Sequence, residues 1–303
     1  MTRIALVTGA AGFTGRYMVE ALRQNQYRVV ALGDFREEVG DEWISCDLTD
    51  QAQVHAAVAP LAPEFVVHLA AVSFVDHERD EDFYRTNVIG TNNLLRALSE
   101  GSKPRKILLA SSANVYGRCA EQPFTENTCP APVNHYAASK LAMEYLARNW
   151  FDSLPIVITR PFNYTGPGQS EKFVVPKLVA HFRSQETSVH LGNVTVERDF
   201  MDVDDLVEAY IRLLNSEVCS EVVNICTGNA LSVSRIVEYL NQIAGYNIKV
   251  EIDVNLVRST DIPKLVGSND KLARLTGFTP RRSFFETLRR MYQHPGSAAL
   301  KLG

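Results

Sequence analysis

A doubly wound parallel α/β sheet followed by a smaller C-terminal α/β unit is the fold class this sequence predicts, and three observations carry it. Near-continuous apolar runs rich in β-branched residues recur along the first half of the chain. Segments of helical periodicity separate them, and a glycine-rich loop joins the first run to the first helix. Strands covered by helices on both faces read as unbroken apolar runs, whereas a sheet with one wet face alternates. Alternating strand and helix give right-handed βαβ units and hence a parallel, Rossmann-type sheet. With 303 residues, 46% of them apolar, the chain has material for one large core or one and a half.

The expected strands are IALV (4–7), VVAL (29–32), FVVHLA (65–70), KILLAS (106–111) and PIVIT (155–159). Between them, YMVEALRQN (17–25) and DFYRTNVIGTNNLLRALSE (82–100) have helical length and spacing. After about residue 164 the rhythm loosens at the Gly/Pro cluster YTGPGQ (164–169). EVVNIC (221–226) reads as a strand returning to the main sheet. The expected first domain is therefore 1–164 with 195–226 returning to it, and the second is 165–194 with 227–303. RRSFFETLRR (281–290) reads as a helix with a solvated basic face around buried Phe284, Phe285 and Leu288. The tail HPGSAALKLG (294–303) has no periodicity and reads as frayed.

Composition narrows the function classes. A net charge of −4 gives no reason to expect nucleic acid or an anionic membrane as partner. No apolar run approaches the length of a membrane span and no signal-peptide core precedes Ile4, so a cytoplasmic protein is expected. Five cysteines without a CxxC pair argue against a disulfide framework, and seven scattered histidines without HxxxH or HExxH spacing suggest no metal site.

TGAAGFTG (8–15) lies where the first strand passes into the first helix. Gly9 permits the tight turn, Gly12 lets backbone N–H groups approach a pyrophosphate, and Gly15 lets the helix pack close to the sheet. The helix N-terminus, with Phe13 and Thr14 on its first turn, adds unpaired donors and a positive dipole end. Asp34 follows Gly15 by 19 residues, where an acid bonds the adenosine ribose hydroxyls; this favours NAD. Gly33 in the strict strand-end position, with Arg36 nearby to receive a 2′-phosphate, favours NADP. The expected cofactor is NAD(P)H with the preference open. Asp47, after the strand-like WISC, either bonds the adenine amino group or sits in a solvent-facing turn.

YAASK places Tyr136 and Lys140 at i and i+4, on one face of a helix. A phenol titrating near 10 is a poor base at neutral pH. A nearby ammonium, with an oxidised nicotinamide ring, stabilises the phenolate and lowers that value. Such a tyrosine exchanges a proton with a carbinol oxygen while hydride moves at the same carbon. Ser112, in SSANVYG (111–117), adds a hydroxyl to hold that oxygen.

Together these motifs resemble the extended short-chain dehydrogenases/reductases that act on nucleotide sugars, over nearly the whole chain. The likeness is carried by TGAAGFTG, CDLTD, HLAA (68–71), SSANVYG, YAASK, RPFNYTGPGQ (160–169) and RDFMDVDD (198–205). It implies Ser112, Tyr136 and Lys140 as the catalytic trio, and Leu48, Leu69, Ala70, Ala71 and the site-ordering Asn87 around the cofactor. For the diphosphate sugar it implies Asn163, Arg198 and Arg258, with Asp199 orienting Arg198, and Asn114, Val175 and Lys177 as further substrate contacts. Homodimerisation through the helices near 82–100 and 136–150 is also implied. Within the family, RPFNYTGPGQSEKFVVPK, GNVTVERDFMDVDDLVEAY and RSTDIPKLVGSNDKLARLTGFTPRRSF liken the chain to the reductases of GDP-4-keto-6-deoxy-D-mannose.

Family members that dehydrate a hexose carry an acidic residue after the serine, because removing water across C5–C6 needs a base and an acid. Ala113 and Asn114 supply neither, and Ala113 also stands where the fucose-type epimerase-reductases carry a cysteine. What remains is hydride and proton exchange at one carbinol carbon. The leading expectation is reduction of GDP-4-keto-6-deoxy-D-mannose, most simply to GDP-D-rhamnose. A nucleotide-sugar 4-epimerase retaining NAD is the alternative, and a non-catalytic dinucleotide-binding regulator the remote one.

Overall fold

The computed structural model describes residues 3–34, 39–74, 77–101, 103–119, 122–257 and 262–294; Arg36, Arg258 and the tail after His294 lie outside them. Six strands run parallel in the first half: β1 (Ile4–Thr8), β2 (Arg28–Gly33), β3 (Glu42–Ser45), β4 (Phe65–His68), β5 (Lys106–Ala110) and β6 (Ile156–Pro161). The returning strand β10 (Glu221–Ile225) pairs parallel to β6, and the sheet order is β3-β2-β1-β4-β5-β6-β10. The order reverses between β1 and β4, which is where an open α/β sheet leaves a crevice at the carboxyl ends of its strands.

Alternation along each strand divides the core between two faces. Ala5, Val7, Val29, Ala31, Val67 and Leu108 pack on one face, under α1 (Phe13–Gln24), α7 (Val203–Asn215) and α9 (Asp270–Thr276). Leu6, Val30, Leu32, Val66, Ile107 and Leu109 pack on the other, under α2 (Gln51–Val58), α4 (Thr91–Glu100) and α5 (His135–Arg148). Every residue of β4 and β6 is buried, as the unbroken apolar runs predict.

The segment 82–100, expected as one helix, is broken. A short α3 (Asp80–Tyr84) leads into a π-helical turn, Arg85–Gly90, before α4 begins. In that turn the Thr91 hydroxyl donates to the Asn87 carbonyl at 2.7 Å, and the Asn87 side chain is drawn inward to bonds with Val72 and Ser139.

In the remainder, β9 (Glu197–Asp202) pairs with β7 (Asn163–Thr165), β11 (Ala230–Ser232) and β13 (Lys264–Leu265), while β8 (Ser188–Leu191) pairs with β12 (Lys249–Ile252). Leu178, Phe182, Ile236, Leu240 and Leu288 build a third core between α6 (Val174–Arg183), α8 (Val233–Ala244) and α10 (Phe284–Gln293). The basic face of α10 is not simply solvated. Arg290 bonds Asp202 at 3.1 Å and Asp204 at 2.6 Å, and Arg282, just before the helix, pairs with Asp205. Three carboxylates crowd the N-terminus of α7, and the arginines supply their counter-charge. Leu288 is buried as expected, whereas Phe284 and Phe285 are only half-buried.

A charge pair buried on both sides joins α5 to β6. Arg160 donates two bonds to Glu144, at 2.9 and 2.6 Å, and Ser111 donates a third to Glu144 at 2.5 Å. Both charged side chains are essentially inaccessible, and Arg160 also lies over the Tyr116 ring. Removing one partner leaves the other charge buried and uncompensated. Glu144→Ala is expected to destabilise the protein by about 3–5 kcal/mol, whereas Arg3→Ala, which breaks the half-exposed pair with Glu64, is expected to leave stability near the parent's. Urea unfolding of the two variants checks this; equal midpoints would remove the distinction.

Candidate active site at the carboxyl ends of the strands

A cleft of about 960 Å³ opens at the switch point. Its floor is the glycine loop. Gly9 adopts φ +69°, and a Cβ there would stand 2.7 Å from the Ala70 nitrogen. A Cβ on Gly15 would stand 2.1 Å from the Gly9 carbonyl oxygen, so α1 approaches β1 only because both positions lack side chains. Gly12 differs: it is exposed to the cleft, and a Cβ there would meet only the Gly9 carbonyl, at 3.2 Å. Phe13 and Thr14 line the same wall, and Thr14 Oγ1 bonds the Tyr164 hydroxyl at 2.8 Å.

At the other end Asp34, the first residue past β2, lines the cleft beside Gly33. Asp47 and Leu48 line it too, and the Asp47 carboxylate accepts from the Thr49 N–H at 2.8 Å, as a turn aspartate does. Leu69, Ala70 and Ala71 form the facing wall.

Ser112, Tyr136 and Lys140 meet in the middle of the cleft. Asn134 caps α5, accepting from the Ala137 N–H at 2.8 Å, and so fixes the turn that presents Tyr136. Ser112 hydrogen-bonds the Tyr136 hydroxyl, but burial dominates and pushes the phenol up to about 12. In the chain alone desolvation outweighs any help from the lysine, and the phenol holds its proton at neutral pH; the expected lowering calls for an oxidised nicotinamide ring beside it as well. Lys140 is buried and donates from Nζ to the Ala110 carbonyl at 2.7 Å. Burial lowers its ammonium to about 8, with the Glu144 carboxylate one turn on opposing the shift.

Several expected site residues are placed otherwise. Asn87 is off the cleft wall and buried. Its amide holds the Val72 backbone at 3.0 and 3.2 Å and the Ser139 hydroxyl at 3.0 Å, so it supports the wall from behind. Val175 faces the third core, and Val174, one position earlier on α6, lines the cleft instead. Asp199 does not orient Arg198. Neighbours on a strand face opposite ways, and Asp199 accepts from Thr227 and Gly228 on the far side. Arg198 does line the cleft, with Nη1 donating to the carbonyls of Glu197 and Ile262. Asn163 and Lys177 also line it; Lys177 Nζ donates to the His190 carbonyl at 3.1 Å. Asn114 is on the wall, whereas Ala113 packs into an apolar cluster with Val115, Phe124 and Phe162.

Among the described residues lining the cleft, the carboxylates are Asp34 and Asp47, both beyond the ends of β2 and β3 rather than beside Ser112. The sequence reading missed the loop Val72–Phe74, Tyr164, and Lys172 with Phe173. The first follows the carboxyl end of β4 directly and was findable from the strand-end rule. Tyr164, on β7 at the junction with the second unit, and the 172–173 pair within that unit lie in segments that carry no spacing code.

A glycine-loop helix start facing a buried Ser–Tyr–Lys trio in one strand-end cleft defines a short-chain dehydrogenase/reductase site. A family profile described as GDP-mannose 4,6 dehydratase matches residues 6–291, and the chain belongs to this branch of the extended short-chain dehydrogenase/reductase family. It is 35% identical over 288 residues to the GDP-6-deoxy-D-talose 4-dehydrogenase of Aggregatibacter actinomycetemcomitans, covering 93% of this chain and 96% of that one. It is 32% identical over 310 residues to the GDP-6-deoxy-D-mannose reductase of Pseudomonas aeruginosa, covering 95% and 96%. Among solved structures it is similar to RMD from Pseudomonas aeruginosa complexed with NADPH, with a TM-score of 0.84, 30% identity, and 96% and 98% of the chains covered.

The geometry separates the two glycines. Gly12→Val is expected to fold normally and lose dinucleotide binding, because its side chain would stand in the cleft; Gly15→Val is expected not to fold, because it collides with backbone. Calorimetric titration with NADH and NADPH, alongside circular dichroism, checks both. A Gly12→Val protein with parental affinity would remove the glycine loop from the cofactor site.

Proposed function

We propose that this chain reduces the 4-keto group of GDP-4-keto-6-deoxy-D-mannose to GDP-D-rhamnose with hydride from NAD(P)H. The observation that carries the reading is a complete hydroxyl–phenol–ammonium set with, among the described residues, no carboxylate facing the cleft beside it, since Glu144 behind Lys140 does not line the cleft. Such a site can protonate an alkoxide but has no group to take the C5 proton, so ketone reduction fits it better than the dehydration for which the family profile is named. The names of the two relatives point the same way, since both concern a GDP-6-deoxyhexose.

NAD(P)H, when bound, supplies the hydride to C4. Tyr136 gives its proton to O4 as the carbonyl electron pair moves onto that oxygen, and the Ser112 hydroxyl donates a hydrogen bond to hold it. A buried phenol that stays protonated near neutrality is already in the donor form this direction requires. Lys140 contributes positive charge beside the phenol. Asn163, Lys177 and Arg198, on the cleft wall formed by the second half of the chain, are assigned to the diphosphate sugar. The proposed domains are 1–164 with 195–226 around the dinucleotide and 165–194 with 227–303 around the substrate, the first lending Asn163 and Arg198 to the sugar side of the cleft. Exposed Ile89, Tyr145 and Leu146, on the π-turn and α5, support a homodimer through these helices, which a monomeric sedimentation mass would overturn.

A second reading is favoured by the talose relative at 35% identity: delivery of hydride to the opposite face, giving GDP-6-deoxy-D-talose. Proton NMR of the product distinguishes the two through the couplings at H4.

Supplied with the 4-keto sugar and reduced cofactor, the protein is expected to consume both in equal amounts; supplied with GDP-mannose and oxidised cofactor, it should form no 4-keto-6-deoxy product. Isomerisation without net cofactor consumption would move the assignment to a 4-epimerase. Tyr136→Phe should cut turnover by about 10²–10⁴-fold with substrate binding kept. Lys140 is charged below about 8 and neutral above, so kcat/KM for reduction should be flat through neutral pH and fall above about 8. Lys140→Met should lower the plateau and abolish that alkaline limb; a limb that persists would assign it to another group.

A further inference from the structure

Behind the cleft wall, at the carboxyl end of β4, lies a fully buried histidine that the proposed chemistry does not use. His68 Nδ1 is 2.7 Å from Thr8 Oγ1 at the end of β1, and its Nε2 is 2.8 Å from Thr91 Oγ1 at the start of α4. The protons in this chain can be assigned. The Thr91 hydroxyl donates to the Asn87 carbonyl at 2.7 Å, so Thr91 Oγ1 accepts from His68, which fixes the imidazole proton on Nε2. Nδ1 of the neutral ring then accepts, and the Thr8 hydroxyl donates to it while accepting from the Ala70 N–H at 3.2 Å. Burial pushes the ring's pKa down to about 3, in keeping with this single tautomer.

Two loops that form the cofactor wall meet at the ends of this relay. Thr8 leads into Gly9, whose missing side chain lets Ala70 approach, and Ala70 is itself bonded to Thr8. Beyond Thr91, Asn87 holds Val72 and Ser139, and Ser139 donates to the Tyr136 carbonyl at 2.8 Å. We propose that His68 is a positioning residue: through Thr8 it sets the gap between the glycine loop and residues 69–72, and through Thr91 it sets the π-turn that supports α5 beneath Tyr136. The inference rests on the reading that this cleft holds a dinucleotide. An apolar residue of the same bulk would fill this space without either link. Here both ring nitrogens are matched with directional bonds to two different elements.

The test uses the full chain with His68→Leu, His68→Asn and Thr91→Val. Leu keeps bulk and loses both links. Asn can still accept from Thr8 but is too short for Thr91, and Thr91→Val removes the second link together with the Thr91–Asn87 bond while leaving Thr8 in place. For each variant, urea midpoints are recorded, NADPH and NADH affinity is measured by calorimetry, and kcat is measured where circular dichroism matches the parent. His68→Leu is expected to weaken dinucleotide binding about tenfold or more and to lower kcat. His68→Asn and Thr91→Val are expected to share one signature, a kcat lowered severalfold with dinucleotide affinity near the parent's. Should His68→Leu not fold, the shared signature of the other two decides. Variants with lowered urea midpoints but parental affinity and kcat would reduce His68 to a structural residue. A parent chain that binds neither dinucleotide would overturn the cofactor reading and this inference with it.

Discussion

The constraint on which the cleft depends is a contact between backbones. Gly15 lies against the Gly9 carbonyl and Gly9 against Ala70, at separations that no side chain permits. These contacts bring the start of α1 and the loop after β4 to the two sides of the switch point, and the cleft is the space left between them. Other parts of the site follow from this placement. Phe13 and Thr14 can reach Tyr164, the ring stacked at 6.2 Å and the hydroxyl at 2.8 Å, only because the helix starts so close to the sheet. Those contacts fasten the glycine loop to β7 and so to the second half of the chain. The N-terminal end of α1 is left without a side-chain cap, with its amides available to an anion.

A second layer of order is electrostatic. Glu144 is flanked by Arg160, which bonds it twice, and by Lys140 one helical turn before it. One carboxylate thus helps keep two buried cations ionised. Without it, Lys140 would face the full cost of desolvation, and its ammonium would fall further than it does. Tyr136 has only the Ser112 hydrogen bond to offset its burial and is driven the other way. The same burial that lowers the ammonium raises the phenol, and the site rests with both groups protonated near neutrality. A proton donor rather than a base is the natural consequence.

How far the sequence could be read tracks the range of the forces involved. The main strands were legible because burial on both faces leaves an unbroken apolar signature, and the glycine loop because each glycine answers a local steric need. Tyr136 and Lys140 were legible because helix geometry alone puts them on one face. The π-turn was not, since what bends 85–90 is Asn87 reaching Val72 and Ser139, the latter 52 residues away in sequence. Arg282 and Arg290 looked like solvated charge for the same reason: their partners lie 77 and 88 residues back, at the start of α7. The orientation of Asp199 was a different kind of miss. Strand alternation sends it away from Arg198, and treating adjacent residues as partners ignored a rule the sequence already contained.

The absence of an acid beside Ser112 also has a structural side. Asn114 stands on the wall, and its N–H donates to the Ser112 hydroxyl oxygen at 3.2 Å, so this short 3₁₀ turn orients the serine while exposing an amide to the cleft. Ala113 is packed against Val115, Tyr116, Phe124 and Phe162, where a carboxylate would be desolvated without a counter-charge. Restoring a glutamate at 114 would put an acid on the wall at little cost to packing, whereas an acid at 113 would require the apolar cluster to open. On the proposed reading, an acid for chemistry at C5 could be placed at 114 but is opposed by the core at 113. That asymmetry makes the reductase reading a property of how this turn packs, in addition to a property of which residues it lacks.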